Sequence, residues 1–320
     1  VQAKATAEIC RRLDGIALAI ELAAARMVSM TPSDVRDRLD DRFRLLAGGR
    51  RGLERHQTLR HAVQWSYELL DDDERTIMNR CSVFAGGFDL NAAVAVGGAG
   101  ELDEFSVLDL LDSLVRKSML TVETSRGSAR YSMLETIRQF CEEQLASTSA
   151  LDATLDRHAR FFAAGAEANA ERWASPDQRA AIVWYFAELA NLRSAFGWAA
   201  DKGDLDAAAT IACKVAFIAV FSDSHEPIDW CEQLLGPAEA ERHRLLRQLY
   251  AGVALCVFAG RPEEALGFGR SSIELATEPR FDEVPHELDR SIVATGHIFL
   301  GRPEEHLEAV SYTHLTLPTS

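Results

Sequence analysis

Two nine-residue segments in the C-terminal third of this chain are near copies of each other. Phe258-Ala259-Gly260-Arg261-Pro262-Glu263-Glu264-Ala265-Leu266 returns as Phe299-Leu300-Gly301-Arg302-Pro303-Glu304-Glu305-His306-Leu307, 41 residues later. In each copy the glycine suits the left-handed residue that ends a helix, and the proline suits the first position of the next. The two glutamates complement the positive end of that helix dipole. Such a segment joins two helices, and its recurrence makes successive helix pairs cross alike and stack. The chain is therefore expected to end in a stacked helical array.

Upstream the pattern stays helical apart from one short interval. Ile9 and Leu13 close one apolar face, Asp14-Gly15 interrupts it, and Ile16 to Arg26 begins another run of helix formers. Thr31-Pro32-Ser33-Asp34 supplies a hydroxyl cap, a first-position proline and an acidic first turn; Val35, Leu39, Phe43 and Leu46 follow at helical spacing until Gly48-Gly49. Leu59, Val63, Tyr67 and Leu70 make an amphipathic helix, and Asp71 with Glu74 predicts a capped helix running to about Phe84. Helices around Leu90 to Val96 and Glu104 to Lys117 come next. The period then changes to alternation: Met119 to Thr124 and Arg130 to Met133, joined by Ser125-Arg126-Gly127-Ser128, read as a hairpin. Helix returns from Glu135 to about Leu145, which completes a winged-helix arrangement.

Beyond Ser147 helices are expected from Leu151 to Trp173, from Pro176 to Ala200 behind a Ser175 cap, and from Leu205 to Phe221. The repeated turn resembles that of tetratricopeptide-like repeats, although its spacing exceeds that family's period of about 34. The fold class expected is thus mainly α: a helical subdomain at 1–50, a winged-helix domain with one small β-hairpin at 51–146, and TPR-like helical repeats at 147–309. The last stretch, 310–320, turns β-branched and ends in Pro318-Thr319-Ser320; it resembles an adaptor-derived peptide and is read as a non-native tail without functional weight.

Composition narrows the function. With 47% hydrophobic and 26% charged residues the chain is neither disordered nor membrane-spanning, since no apolar run approaches the roughly 18 residues of a span. A net charge of -15 opposes a phosphate backbone. Residues 1–60 hold twelve Lys/Arg against eight Asp/Glu, a balance of +4 that leaves -19 on the remainder. Only four of the 34 basic residues are lysine, a bias that points to genome composition rather than guanidinium chemistry. Six scattered cysteines, with no C-x-x-C pair, predict a reduced, cytoplasmic chain. The chain opens at Val1 already in a helical pattern and reads as a piece of a longer protein.

The segment from Leu13 to Arg26, LDGIALAIELAAAR, resembles the G-L-P-L-A-I-E-L-A-A-A-R segment of bacterial STAND NTPases. These are signal-transduction ATPases related to NB-ARC proteins and found in regulators of LuxR/AfsR type. Further blocks agree in order: Leu39 to Leu46, Gln57 to Arg60, Trp65-Ser66-Tyr67, Ser82 to Phe88 and Met133 to Phe140. The likeness covers about residues 5–145, with Glu188 to Arg193 extending it.

That resemblance implies an ATP/ADP-operated switch with Mg²⁺, whose nucleotide-binding domain lies upstream and whose helical repeats follow. This chain has no G-x-x-x-x-G-K-[ST] and no Gly-Lys pair, so it is expected to hold no cofactor and not to be an enzyme by itself. Two family contacts carry over by position. Gly15, Ala17 and Leu18 stand in the G-L-P-L motif, whose proline lies beside the nucleotide; Ala17 keeps a small apolar surface but not the fixed φ. Read alone, the stretch is a helix start with core packing. Met133 and Glu135 stand in the family's Met-His-Asp motif, whose histidine reaches the ADP phosphate, yet Leu134 between them has no hydrogen to donate. Read alone, Glu135 caps the last helix.

Other candidates take plainer readings. Trp65, Trp173, Trp184, Trp198 and Trp230 fall on helical apolar faces and read as core, and Asp71-Asp72-Asp73-Glu74 reads as a solvated helix start rather than a metal site. No H-E-x-x-H or G-x-S-x-G stands out. The reading that follows is the sensor part of a STAND-type transcriptional regulator. Its winged helix acts as an internal latch against the upstream nucleotide-binding domain, and its repeats take a protein or small-molecule effector. A DNA-binding winged helix, a passive scaffold and the regulatory region of a nucleotide cyclase are the alternatives. Direct DNA contact is not expected, because Glu104, Asp109 and Asp112 outweigh Arg116 and Lys117 on the would-be recognition helix. No membrane contact is expected either.

Overall fold

The computed structural model describes residues 2–12, 20, 23–24, 27, 30–37, 60, 63–125, 128–220 and 225–314. The chain divides into two compact units, Val1–Arg157 and His158–Ser320.

In the first unit α1 (Gln2–Arg12) packs on α2 (Pro32–Asp37), with Ala5, Ile9 and Val35 buried and Arg12 donating to the Arg36 carbonyl at 2.9 Å. The start of α2 is a reciprocal cap. Thr31 Oγ1 accepts from the Asp34 amide at 3.2 Å, and the Asp34 carboxylate accepts from the Thr31 amide at 3.1 Å. The expected continuation to Gly48-Gly49 lies outside the described residues.

Three more capped helices follow a helical stretch at 63–68. α3 (Asp72–Cys81) opens on the box that Asp71 and Glu74 predicted, each side chain bonded to the other's amide. α4 (Leu90–Ala92) begins at Asp89 and passes into a π-type turn over Ala93–Gly97; α5 (Glu104–Arg116) begins at Asp103. β1 (Thr121–Ser125) then pairs antiparallel with β2 (Ser128–Ser132), Val122 facing Tyr131. The ladder extends through Ser125 and Ser128, so the loop is shorter than the four-residue turn expected from sequence. α6 (Glu135–Ala146) closes the unit's winged helix.

A third chain segment joins the hairpin through one extra rung. Phe88 and Tyr131 exchange backbone hydrogen bonds of 2.9 and 2.8 Å. The approach depends on Gly87: its φ is +76°, and a Cβ there would sit 2.7 Å from the Tyr131 carbonyl oxygen. Phe88 stacks on Tyr131 and touches Phe84, and Ile77, Met78, Leu111, Leu114 and Phe140 complete the buried core beneath.

The second unit is all helical among its described residues. α7 (Leu151–Trp173) carries the division between units. It is followed by α8 (Gln178–Lys202), α9 (Leu205–Ala219), α10 (Glu226–Glu241), α11 (Leu246–Ala254) with a 3₁₀ turn over Leu255–Ala259, α12 (Pro262–Leu275), α13 (Leu288–Phe299) and α14 (Pro303–His314). From α8 onward each helix packs on its successor. Buried alanines on α9, such as Ala208, Ala212 and Ala216, leave room for that close approach. The two copies of the repeated turn have one geometry: Gly260 (φ 81°) and Gly301 (φ 69°) are left-handed, and the following Arg261 and Arg302 amides bond back to Cys256 and His297 carbonyls at 3.1 and 2.9 Å. In the first copy Arg261 also forks onto Glu232 of α10 at 3.1 and 3.2 Å, whereas Ile273 occupies the matching place one period later.

Several sequence expectations need correction. Pro176 precedes α8 instead of opening it: Asp177 stands at the N-cap position, and Ser175 Oγ accepts from the Asp177 amide at 3.1 Å. α10 was not foreseen because Pro237 lies inside it, the residue that ordinarily ends a helical pattern. α14 runs through Val310 to His314, where the tail was expected to leave the helix. Of the tryptophans, Trp230 is buried and stacks on Phe196 at 4.7 Å, Trp173, Trp184 and Trp198 are half-buried, and Trp65 is 68% exposed. Among the described residues no helix is long and apolar enough to cross a membrane, and no three His, Cys, Asp or Glu side chains group to hold a metal.

Candidate functional site

In the winged helix α5 has the place of a recognition helix. Val107, Leu111 and Leu114 fix it to the core, which leaves Phe105, Asp109, Asp112 and Arg116 along the outer face. Phe105 is 78% exposed. Arg116 lies 3.4 Å from Asp112, one turn back, so that face carries more negative than positive charge.

Lys117, at the end of α5, turns inward. Its Nζ is 2.6 Å from both carboxylate oxygens of Glu74, which also accepts from Ser113 Oγ at 2.7 Å and from the Asp71 amide at 2.9 Å. The Glu74 side chain is 2% exposed and that of Lys117 40%. Burial by itself would raise the Glu74 pKa, but the bonds from Lys117, Ser113 and Asp71 hold it below the ordinary carboxylate value. The other described cations of this region are engaged as well. Arg75 reaches the Tyr67 and Glu68 carbonyls, Arg80 the Gly97 carbonyl and Glu101, and Arg130 the Gly86 carbonyl. Between residues 63 and 146 every described Lys or Arg bonds to this chain itself.

The family-derived positions divide. Gly15, Ala17 and Leu18 lie outside the described residues. Met133 is half-buried just before α6, where Leu134 holds the N-cap position without a side-chain cap, so Glu135 does not stand at the cap as the sequence suggested. Both oxygens of Glu135 bond Arg138, each at 2.8 Å, and Arg138 also donates to Glu142 and the Ser82 carbonyl. Burial alone would lower the Arg138 pKa; the two carboxylates raise it. An exposed leucine beside a carboxylate-neutralised arginine does not fit a nucleotide phosphate, which asks for free donors and net positive charge.

Sequence reasoning missed the inward turn of Lys117 and the Phe88 rung. The D-x-x-E pattern announced Glu74's backbone role, but its partner stands 43 residues away.

Residues 70–146 match the winged helix-turn-helix domain family. The region so matched is the one just described, from the Asp71 cap to the end of α6. The chain is 42% identical over 247 residues to a protein of Mycobacterium tuberculosis (strain ATCC 25618 / H37Rv) whose name describes an HTH-type transcriptional regulator, and equally to its namesake in Mycobacterium bovis; the match covers 76% of this chain and 27% of each relative. A second M. tuberculosis protein, named as uncharacterized, is 45% identical over 157 residues, which is 48% of this chain and 40% of that one. The chain thus spans about a quarter of the length of the regulators it matches. Among solved structures, a STAND protein with a tetratricopeptide repeat sensor from Pyrococcus horikoshii aligns over 92% of this chain and 52% of its own, at 14% identity and a TM-score of 0.31. At that score it carries no argument.

Proposed function

We propose that this chain is the regulatory part of a larger transcriptional regulator, in which the winged helix makes contacts within the protein rather than reading DNA and the helical array senses an effector. The observation that carries the first half is Lys117: of the two cations that end α5 it is committed to the buried Glu74, and the exposed Arg116 stands against Asp112. Phe105, exposed beside carboxylates, suits a protein surface better than a polyanion. The names of the mycobacterial relatives support a role in regulation. Reading of DNA belongs in this proposal to the part of the protein beyond this chain. So does the ATP/ADP switch that the STAND resemblance implies, together with its Mg²⁺ and its cytoplasmic setting.

Fluorescence anisotropy of the whole chain against random duplex DNA at low salt tests this. Little binding is expected. A salt-dependent affinity that falls on Arg116→Ala would instead favour a DNA-reading winged helix. In the same preparation ATP turnover should be absent.

A further inference from the structure

The helical array contains a cavity of about 120 Å³ between α7, α9, α11 and the segment entering α13. Its walls are apolar and partly aromatic: Trp173 and Phe217 meet edge to face at 5.7 Å, with Ile218 and Leu255 also lining the space. Small residues open it. Ala251 and Gly252 line it from α11, and Gly252 has no alternative there, because a Cβ would come within 2.6 Å of Cys231 Sγ behind it.

Charge marks the cavity off from the rest of the molecule. In a chain of net charge -15, the described residues that line it include Lys214 and no Asp or Glu. The Lys214 side chain is 15% exposed, and its ion pair with Glu167 is long, at 3.6 Å, which leaves ammonium hydrogens for another acceptor.

The roof is held under strain. His286 and Glu287 are consecutive non-glycine residues with φ of 55° and 49°, a conformation that costs roughly 1–3 kcal/mol per residue. The segment stays there because both ends are clamped. Arg244 holds Asp282 at 2.6 Å and Gln248 donates to the Glu283 carbonyl at 2.7 Å; beyond the strained pair, buried Asp289 accepts from Arg247 and Ser272 at 3.0 Å each. Pro285, His286 and Leu288 are thereby held along one side of the cavity.

We infer that this cavity binds a compact aromatic monocarboxylate, its ring against Trp173 and Phe217 and its carboxylate on Lys214. An apolar void of about 150 Å³ takes a benzene ring, so a cavity of about 120 Å³ limits the ligand to a single ring. The inference rests on reading the array as the sensing part of the protein, and it names the effector class.

The test is ligand-observed ¹⁹F NMR of 4-fluorobenzoate with the whole chain, followed by competition with benzoate and with benzyl alcohol. Saturable binding with a dissociation constant on the order of 1 mM or tighter is expected. Lys214→Met should weaken benzoate roughly tenfold and leave benzyl alcohol nearly unchanged. Ala174→Leu, which fills the cavity from an exposed wall position, should abolish both while the circular dichroism stays the same. No saturable binding by a folded chain, or binding indifferent to Ala174→Leu, overturns the inference. Because DNA titration of the same chain reads the winged helix separately, failure here leaves the first half of the proposed function standing.

Discussion

Lys117 Nζ lies 2.6 Å from both carboxylate oxygens of Glu74, and this contact joins the end of α5 to the first turn of α3. The two partners are not equivalent. Lysine keeps access to water, whereas the buried carboxylate would keep only Ser113 and the Asp71 amide if the ammonium were removed. Lys117→Met is therefore expected to destabilise the winged helix by about 2 kcal/mol in urea titration at neutral pH. The folded-state pKa of Glu74 is depressed, so its contribution is complete above the unfolded carboxylate value, about 4.3, and is lost as pH falls through the lower folded value. Stability curves of parent and Lys117→Met should converge on that acid side; curves that stay parallel would rule the pair out as the cause.

Gly87→Ala should damage the hairpin attachment. The substitution meets the Tyr131 carbonyl at 2.7 Å and a left-handed φ at once, and a loss of about 2–3 kcal/mol is expected. Amide exchange at Phe88 and Tyr131 reads it directly, since those two N–H groups form the extra rung. Unchanged protection at both would contradict the role given to Gly87.

Two glycines of the array separate conformational from steric cost. A Cβ on Gly260 would meet open space, but the residue's φ is 81°, so Gly260→Ala should cost about 1 kcal/mol. At Gly269 a Cβ would lie 2.5 Å from Val293 Cγ2, and Gly269→Ala should cost about 2 kcal/mol. Adding Val293→Ala should recover part of the second loss and none of the first, measured as a double-mutant cycle.

His158 gives the second unit an acid-side weakness. Burial lowers its pKa to about 4 against a smaller opposing bond from Asn191, and its ring packs on Phe162 at 4.7 Å. A lowered folded pKa means that the unfolded chain takes the proton first. Stability is therefore full above about pH 6.5 and declines toward pH 4, by on the order of 3 kcal/mol. His158→Leu should flatten that slope in thermal melts between the two values, and a slope retained in the variant would assign it to other groups.

What the sequence disclosed was whatever is written locally. The Asp71–Glu74 box and the turns at Gly260 and Gly301 depend on residues a few positions apart and appear where they were read, and the hairpin read from the change of period at Met119 starts two residues later, at Thr121. α10 stayed hidden because a proline signal was overruled by burial of Trp230, Cys231 and Leu234 on its inner face. Trp65 misled in the opposite sense: an aromatic at helical spacing carries no mark of whether a neighbouring element covers it. At the candidate sites the decisive partners are Glu74 for Lys117 and the clamps around Glu283, contacts that only the tertiary fold creates.

The repeated turn copies a backbone and not a bond. Arg261 ties its turn to Glu232, but Ile273 replaces that acid one period on, so the two joints share a geometry while differing in what fastens them. Duplicating or excising one period would keep the helices in phase yet change which joint bears the ion pair. The copies can be counted like beads, but they cannot be reordered without moving the strong joint.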